Sequence, residues 1–147
     1  MAADLTTFRR VALDSSVLIY HLEDAKPYSE LTEAAFAAIA GGVPAAVVST
    51  ISVTELFVKP YVDRRPERVA ALERFFGSLP NTDLVAPGYP IAKDAARLRA
   101  RYGIRVPDAL LLATARLEGA RAFLTNDAVL KKVKGEGFTV VVLDEYL

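Results

Sequence analysis

The sequence predicts one α/β domain built on a mainly parallel, five-stranded sheet covered on both faces. Three observations lead there. Short apolar runs alternate with segments of helical period along the whole chain, the signature of βα units joined by right-handed crossovers. The runs lack the in-out alternation of half-exposed strands, so they read as strands buried on both faces. Finally, 147 residues that are 52% hydrophobic can bury a substantial single core without disulfides or structural metal, so residues 1–147 are expected to form one domain.

The elements follow in order. Val11-Ala12-Leu13 is the first strand, with Asp14 at its carboxyl end and a helix beyond it that Ser15 or Ser16 can cap, where Val17, Leu18 and Leu22 recur at helical spacing. Tyr28 to Ala40 carries Leu31, Ala35, Ala38 and Ile39 on one helical face and ends at Gly41-Gly42. Ala45 to Ser49 is a second strand, and Ile51 to Val58 a helix stopped by Pro60. Arg65 to Leu79 repeats Val69, Leu72, Phe76 and Leu79, with Pro66 suited to a first turn. Leu84-Val85-Ala86 is a third strand closed by Pro87-Gly88. Pro90 to Tyr102 forms a helix ended by Gly103, and Val106 to Glu118 a very apolar helix ended by Gly119. Ala122-Phe123-Leu124 is the fourth strand, Ala128 to Val133 a short helix and Phe138 to Leu143 the fifth strand.

Composition removes several function classes. Eighteen basic and eighteen acidic side chains cancel, so no global field draws the protein to nucleic acid or membrane, and a polyanion must be met locally. The single histidine, His21, excludes a hydrolase that needs a histidine acid and a histidine base. With no cysteine, a tetrahedral zinc site is also out. No apolar run approaches the roughly 18 residues of a membrane span, and Met1 to Arg10 lack the features of a secretory signal. A cytoplasmic protein is expected.

Four acids remain, each with an ordinary explanation. Asp14 can cap a helix, and Asn126 or Asp127 can cap the one after the fourth strand. Glu55 closes a Ser-x-x-Glu capping box with Ser52. Asp108 complements the dipole in the first turn of the apolar helix. Position unites them. In a parallel sheet all carboxyl ends lie on one edge, so Asp14, Glu55 and Asp127 share a rim, which Asp108 reaches if its helix starts there. Two like charges 4 Å apart cost about 1 kcal/mol in water and about 4 at an effective dielectric of 20. Either some carboxyls keep protons, or a hard divalent cation such as magnesium or manganese sits among the oxygens and activates a water.

These residues resemble a PIN-domain nuclease. The resemblance is carried by Leu13-Asp14-Ser15-Ser16-Val17-Leu18-Ile19, Ser52-Val53-Thr54-Glu55-Leu56, Pro107-Asp108-Ala109-Leu110-Leu111-Leu112-Ala113-Thr114-Ala115 and Leu124-Thr125-Asn126-Asp127. It spans the chain from Val11 to the fifth strand. It implies a three-layer α/β/α sandwich and a Mg2+- or Mn2+-dependent phosphodiesterase acting on RNA. Asp14, Glu55, Asp108 and Asp127 would be its acidic quartet, with Asp14, Asp108 and Asp127 as metal ligands. Ser15, where threonine is common in the family, is implied to support the acids with Ser16, Thr125 and Asn126, although Ser15 and Ser16 also inherit the capping role if Asp14 is a ligand. The chain's size resembles the VapC-type toxins, which implies a homodimeric endoribonuclease silenced by an antitoxin protein. A nuclease of RNA processing or DNA repair shares the same site. A receiver-like binding module would carry its acid after the third strand, where Pro87-Gly88 stands.

Substrate contacts are open. Arg97 and Arg101, four apart on one helix, with Arg105 before Pro107-Asp108, can meet phosphates or form a solvated face. Lys131, Lys132 and Lys134 are a second candidate rim. Tyr20 and His21 read as packing or surface residues.

Overall fold

The computed structural model describes residues 5–147. The chain order is β1 (Arg10–Leu13), α1 (Ser15–Leu22), α2 (Ser29–Ala40), β2 (Ala45–Ser49), α3 (Thr50–Val62), α4 (Pro66–Gly77), β3 (Thr82–Val85), α5 (Tyr89–Tyr102), α6 (Val106–Leu117), β4 (Ala122–Thr125) and β5 (Thr139–Val142), with 3-10 turns at Ala128–Lys132 and Leu143–Tyr146. All four strand pairings are parallel, in the order β3-β2-β1-β4-β5. The sheet is thus wholly parallel rather than mainly so.

Side chains alternate across this sheet with period two, which sorts the core into two layers. Val11, Leu13, Ala46, Val48, Ala122, Leu124 and Val141 face α1, α2 and α4, together with Leu56 of α3. Ala12, Val47, Phe123, Val140 and Val142 face α5, α6 and Leu130. Helices on both faces make the three-layer sandwich. Because the central strands are buried on both sides, their inner residues Val11–Leu13, Ala45–Val48 and Ala122–Leu124 are continuously apolar, with polar residues only at strand ends.

Element ends shift by a residue or two along the chain, and three places stand out. Helix α3 runs through Pro60 to Val62. The proline falls in the last turns, where its missing N–H costs one helical bond, and the helix continues because Asp63 N donates to Lys59 O (2.8 Å) and Arg65 N to Pro60 O (2.9 Å). Strand β3 spans Thr82–Val85 rather than Leu84–Ala86. It lies at the sheet edge and pairs only with β2, so its polar start is tolerated, and Asp83 takes a bond from Arg10 (2.8 Å). The segment after β4 is a 3-10 turn, not an α-helix.

The strand order reverses direction at β1, whose neighbours are β2 on one side and β4 on the other. Outside the carboxyl ends at such a switch point the flanking loops diverge and leave a crevice.

Candidate active site

Asp14 stands at that crevice. Its N–H donates to Leu124 O (2.9 Å), which prolongs the β1–β4 ladder and fixes the residue against the sheet. Its side chain then turns to cap α1, with Oδ1 accepting from Ser15 N at 2.8 Å. The capping role is therefore Asp14's own, and neither Ser15 nor Ser16 takes it. Oδ2 accepts two hydroxyl protons, from Thr125 (2.6 Å) and from Ser16 (3.1 Å). Each hydroxyl is oriented by a backbone amide, Asp127 N donating to Thr125 Oγ1 at 3.0 Å and Asn126 N to Ser16 Oγ at 3.3 Å. Two amides of the β4 exit thus set two hydroxyls that hold one carboxylate oxygen.

Burial pushes the Asp14 carboxyl above its ordinary value, and the Asp108 charge adds to that push. The hydroxyl and amide bonds pull it back without cancelling the rise.

Glu55 reaches the same crevice from α3. The helix is capped by Ser49, whose Oγ accepts from Ile51 N at 3.1 Å, so Ser52 and Glu55 do not form the expected capping box. The box fails because the helix begins at Thr50, placing Ser52 inside its first turn and Glu55 near mid-helix, one above the other on a single face. Both meet Ser15, whose Oγ lies 2.8 Å from Ser52 Oγ and 2.9 Å from Glu55 Oε1. Ser52 was read as a cap and not as a support; its three-residue offset from Glu55 was the available signal.

Asp108 sits in the first turn of α6, which starts at the rim and runs back along the sheet. Its side chain is 13% exposed and accepts from Arg105 Nε at 3.2 Å. Asp127 caps the 3-10 turn, Oδ1 accepting from Val129 N at 3.0 Å. Asn126 Nδ2 donates to the Tyr20 hydroxyl (3.3 Å), while Asn126 Oδ1 accepts from Asp144 N (3.0 Å).

All four acids line one open cleft of about 390 Å³, with Ser15, Ser16, Asn126, Ile19, Tyr20 and Arg105. Thr125 lies beneath it, fully buried. The other expected cations are elsewhere. Arg97 spends its guanidinium on Glu136 (2.7 and 3.3 Å) and Asp94 (3.0 Å), and Arg101 bonds Glu136 (3.2 Å), so neither lines the cleft. Lys131 pairs with Glu145. His21 stacks on Phe36 at 4.0 Å between ring centroids, as a packing residue does.

Among the described residues no three acidic or histidine side chains converge closely enough to hold a metal ion in their present rotamers. The donor set nonetheless suits a hard divalent cation. It is all oxygen, it gathers four carboxylates from four segments, and a single guanidinium offsets them in the cleft.

Among the described residues no helix is long and apolar enough to cross a membrane. No curated protein matches the chain by sequence. Solved structures do match in fold. The chain is similar to a toxin-antitoxin complex from Klebsiella pneumoniae, with TM-score 0.64 and 22% identity over 90% of this chain and 97% of that one. It is similar to VapBC2 from Rickettsia felis bound to a DNA fragment from their promoter, with TM-score 0.70 and 16% identity over 90% and 98%. FitAcB from Neisseria gonorrhoeae gives TM-score 0.68 and 20% identity over 90% and 97%. The sequence itself matches the PIN domain over residues 11–136, a stretch that contains all four acids. With that match over most of its length, the chain belongs to the PIN domain family.

Proposed function

We propose that the protein is a Mg2+- or Mn2+-dependent endoribonuclease, the VapC-type toxin of a toxin-antitoxin pair. The observation that carries this reading is the meeting of Asp14, Glu55, Asp108 and Asp127 in one cleft at the switch point of a PIN fold. The fold likeness to toxin-antitoxin complexes supports the pairing with an antitoxin protein. A cytoplasmic setting and a second copy of the chain as partner belong to the same reading. Val58, Tyr61 and Val62 of α3, 53%, 63% and 72% exposed, offer apolar surface for such a partner.

In this reading Asp14, Asp108 and Asp127 hold the ion, which when bound supplies an activated water and charge neutralisation at the phosphate. The chain's own residues do the rest. Thr125 and Ser16 fix Asp14 as an acceptor-only ligand, and Asn126 ties the loop before Asp127 to Tyr20 and Asp144. Glu55, held by Ser15, accepts a proton at the edge of the cleft. Arg105, whose side chain is 76% exposed, is placed to meet a substrate phosphate. No histidine is required.

Purified protein incubated with single-stranded RNA, duplex RNA and DNA, with Mg2+, Mn2+ or EDTA, tests the reading. Single-stranded RNA should be cut only with metal present. Asp14→Asn and Asp108→Asn should each lose at least about 100-fold in rate, the scale of removing one catalytic group. Undiminished cleavage by Asp14→Asn would falsify the assignment.

A further inference from the structure

Among the described residues Arg105 is the one basic side chain lining the acidic cleft. Its Nε donates to Asp108 Oδ2 at 3.2 Å, while its side chain remains 76% exposed. Asp127 and Glu55 line the same cleft. Asp14, the fourth, has its oxygens occupied by an amide and two hydroxyls. Arg97 and Arg101 are engaged with Glu136 and do not share the task.

We infer that Arg105 is a built-in counter-ion that holds Asp108 in the metal-free cleft and must release it for a divalent cation to bind. The inference rests on the metal-dependent reading above. It follows from a donor set suited to a hard cation in which one acid, Asp108, is already bound by a guanidinium. A guanidinium satisfies Asp108 from the rim, at a distance that a small ion with short oxygen bonds does not tolerate. Asp108 would then hold the cation in place of the guanidinium, which would be free to meet a substrate phosphate. Arg105 is thus a positioning residue with opposite effects on the two ligands. It weakens metal binding and strengthens substrate binding.

The test is calorimetric titration of the full chain with Mn2+ at low ionic strength, for the native protein and for Arg105→Gln, Arg105→Lys and Asp14→Asn. Exposed ion pairs of this kind change a binding constant by up to about fivefold. Arg105→Gln should therefore bind Mn2+ about two- to fivefold more tightly, Arg105→Lys should stay near native, and Asp14→Asn should lose binding. In cleavage at saturating Mn2+, Arg105→Gln should raise KM for single-stranded RNA. Native binding that Arg105→Gln leaves unchanged or weaker overturns the counter-ion role while the metal site stands. Mn2+ binding in neither native protein nor Arg105→Gln removes the metal site itself, and the counter-ion role with it. The exposed side chain makes misfolding of Arg105→Gln an improbable confounder, and its thermal melt in EDTA checks this directly.

Discussion

Ser15 is the joint between the Asp14 segment and the Glu55 helix, and the direction of its hydrogen bonds can be deduced. A hydroxyl has one proton. Glu55 as a carboxylate only accepts, so Ser15 donates to Glu55 Oε1 at 2.9 Å and accepts from Ser52 Oγ at 2.8 Å. Ser52 is fully buried. Ser15→Ala therefore strands a buried hydroxyl donor and frees Glu55, at a cost of about 1–3 kcal/mol. Ser52→Ala leaves the Ser15–Glu55 bond in place and should cost only about 0.5–1.5 kcal/mol. In the double variant no donor is stranded, so adding Ser52→Ala to Ser15→Ala should cost nothing or restore stability. Urea unfolding of the four proteins in EDTA at pH 7 measures this cycle. The two single costs should exceed the double cost by roughly 1 kcal/mol, and additivity within about 0.3–0.5 kcal/mol would refute the proton order. The same Ser15→Ala protein should also cleave more slowly, because Glu55 is no longer held.

Two further predictions concern pH and the ion network. Glu136, nearly covered by its own partners, takes bonds from Arg97, Arg101 and Tyr102, and Arg97 above all holds its carboxyl below the ordinary range. A depressed carboxyl contributes stability above its unfolded value of 4.5, lost as pH falls through the folded value. Glu136→Gln should cost about 1.5–3 kcal/mol at pH 7 and flatten the acid limb of a denaturation series below about pH 4.5. His21 behaves in the opposite sense. Burial lowers its value from 6.5, against the charges of Glu33 and Asp24, and its Nδ1 is buried without a partner among the described residues. The unfolded chain then binds the proton more readily, so stability should fall as pH drops below 6.5. His21→Phe, which keeps the stack on Phe36, should remove that slope in thermal melts between about pH 5 and 7.

The sheet was legible because burial on both faces leaves a continuous apolar run, and β1, β2, β4 and β5 each have one. β3 was shifted by two residues because an edge strand needs no such run. Pro60 misled for a related reason: a rule for helix interiors was applied near a helix end, where only one bond is at stake. The arginines show a sharper limit. Helical spacing put Arg97 and Arg101 on a common face, but their acceptor Glu136 lies 39 and 35 residues away, on a loop whose approach to α5 no local pattern announces. The Thr125 hydroxyl on Asp14 joins residues 111 apart, and it depends on β4 lying beside β1, a strand order that the chain sequence does not spell out. Resemblance to a family supplied that residue where spacing did not.

The ordinary explanations of the acids were sound for Asp14 and Asp127, which do cap the elements that follow them. Capping and site chemistry are not rivals there, because a carboxylate has two oxygens. Oδ1 of each takes a backbone N–H and fixes the side chain at a strand's carboxyl end. For Asp14, Oδ2 is then presented to the Ser16 hydroxyl, which lines the cleft, and to the Thr125 hydroxyl buried beneath it. Each cap is thus the device that aims the acid, and a long side chain without one needs another support. Glu55, in mid-helix, has that support in Ser15, and Asp108 has it in Arg105. The two supports differ in kind. A hydroxyl orients a carboxylate without opposing a cation, whereas a guanidinium orients it and competes with one, so in Mn2+ titration Arg105→Gln should bind more tightly while Ser15→Ala, which loosens Glu55 and none of the three metal ligands, should stay near native.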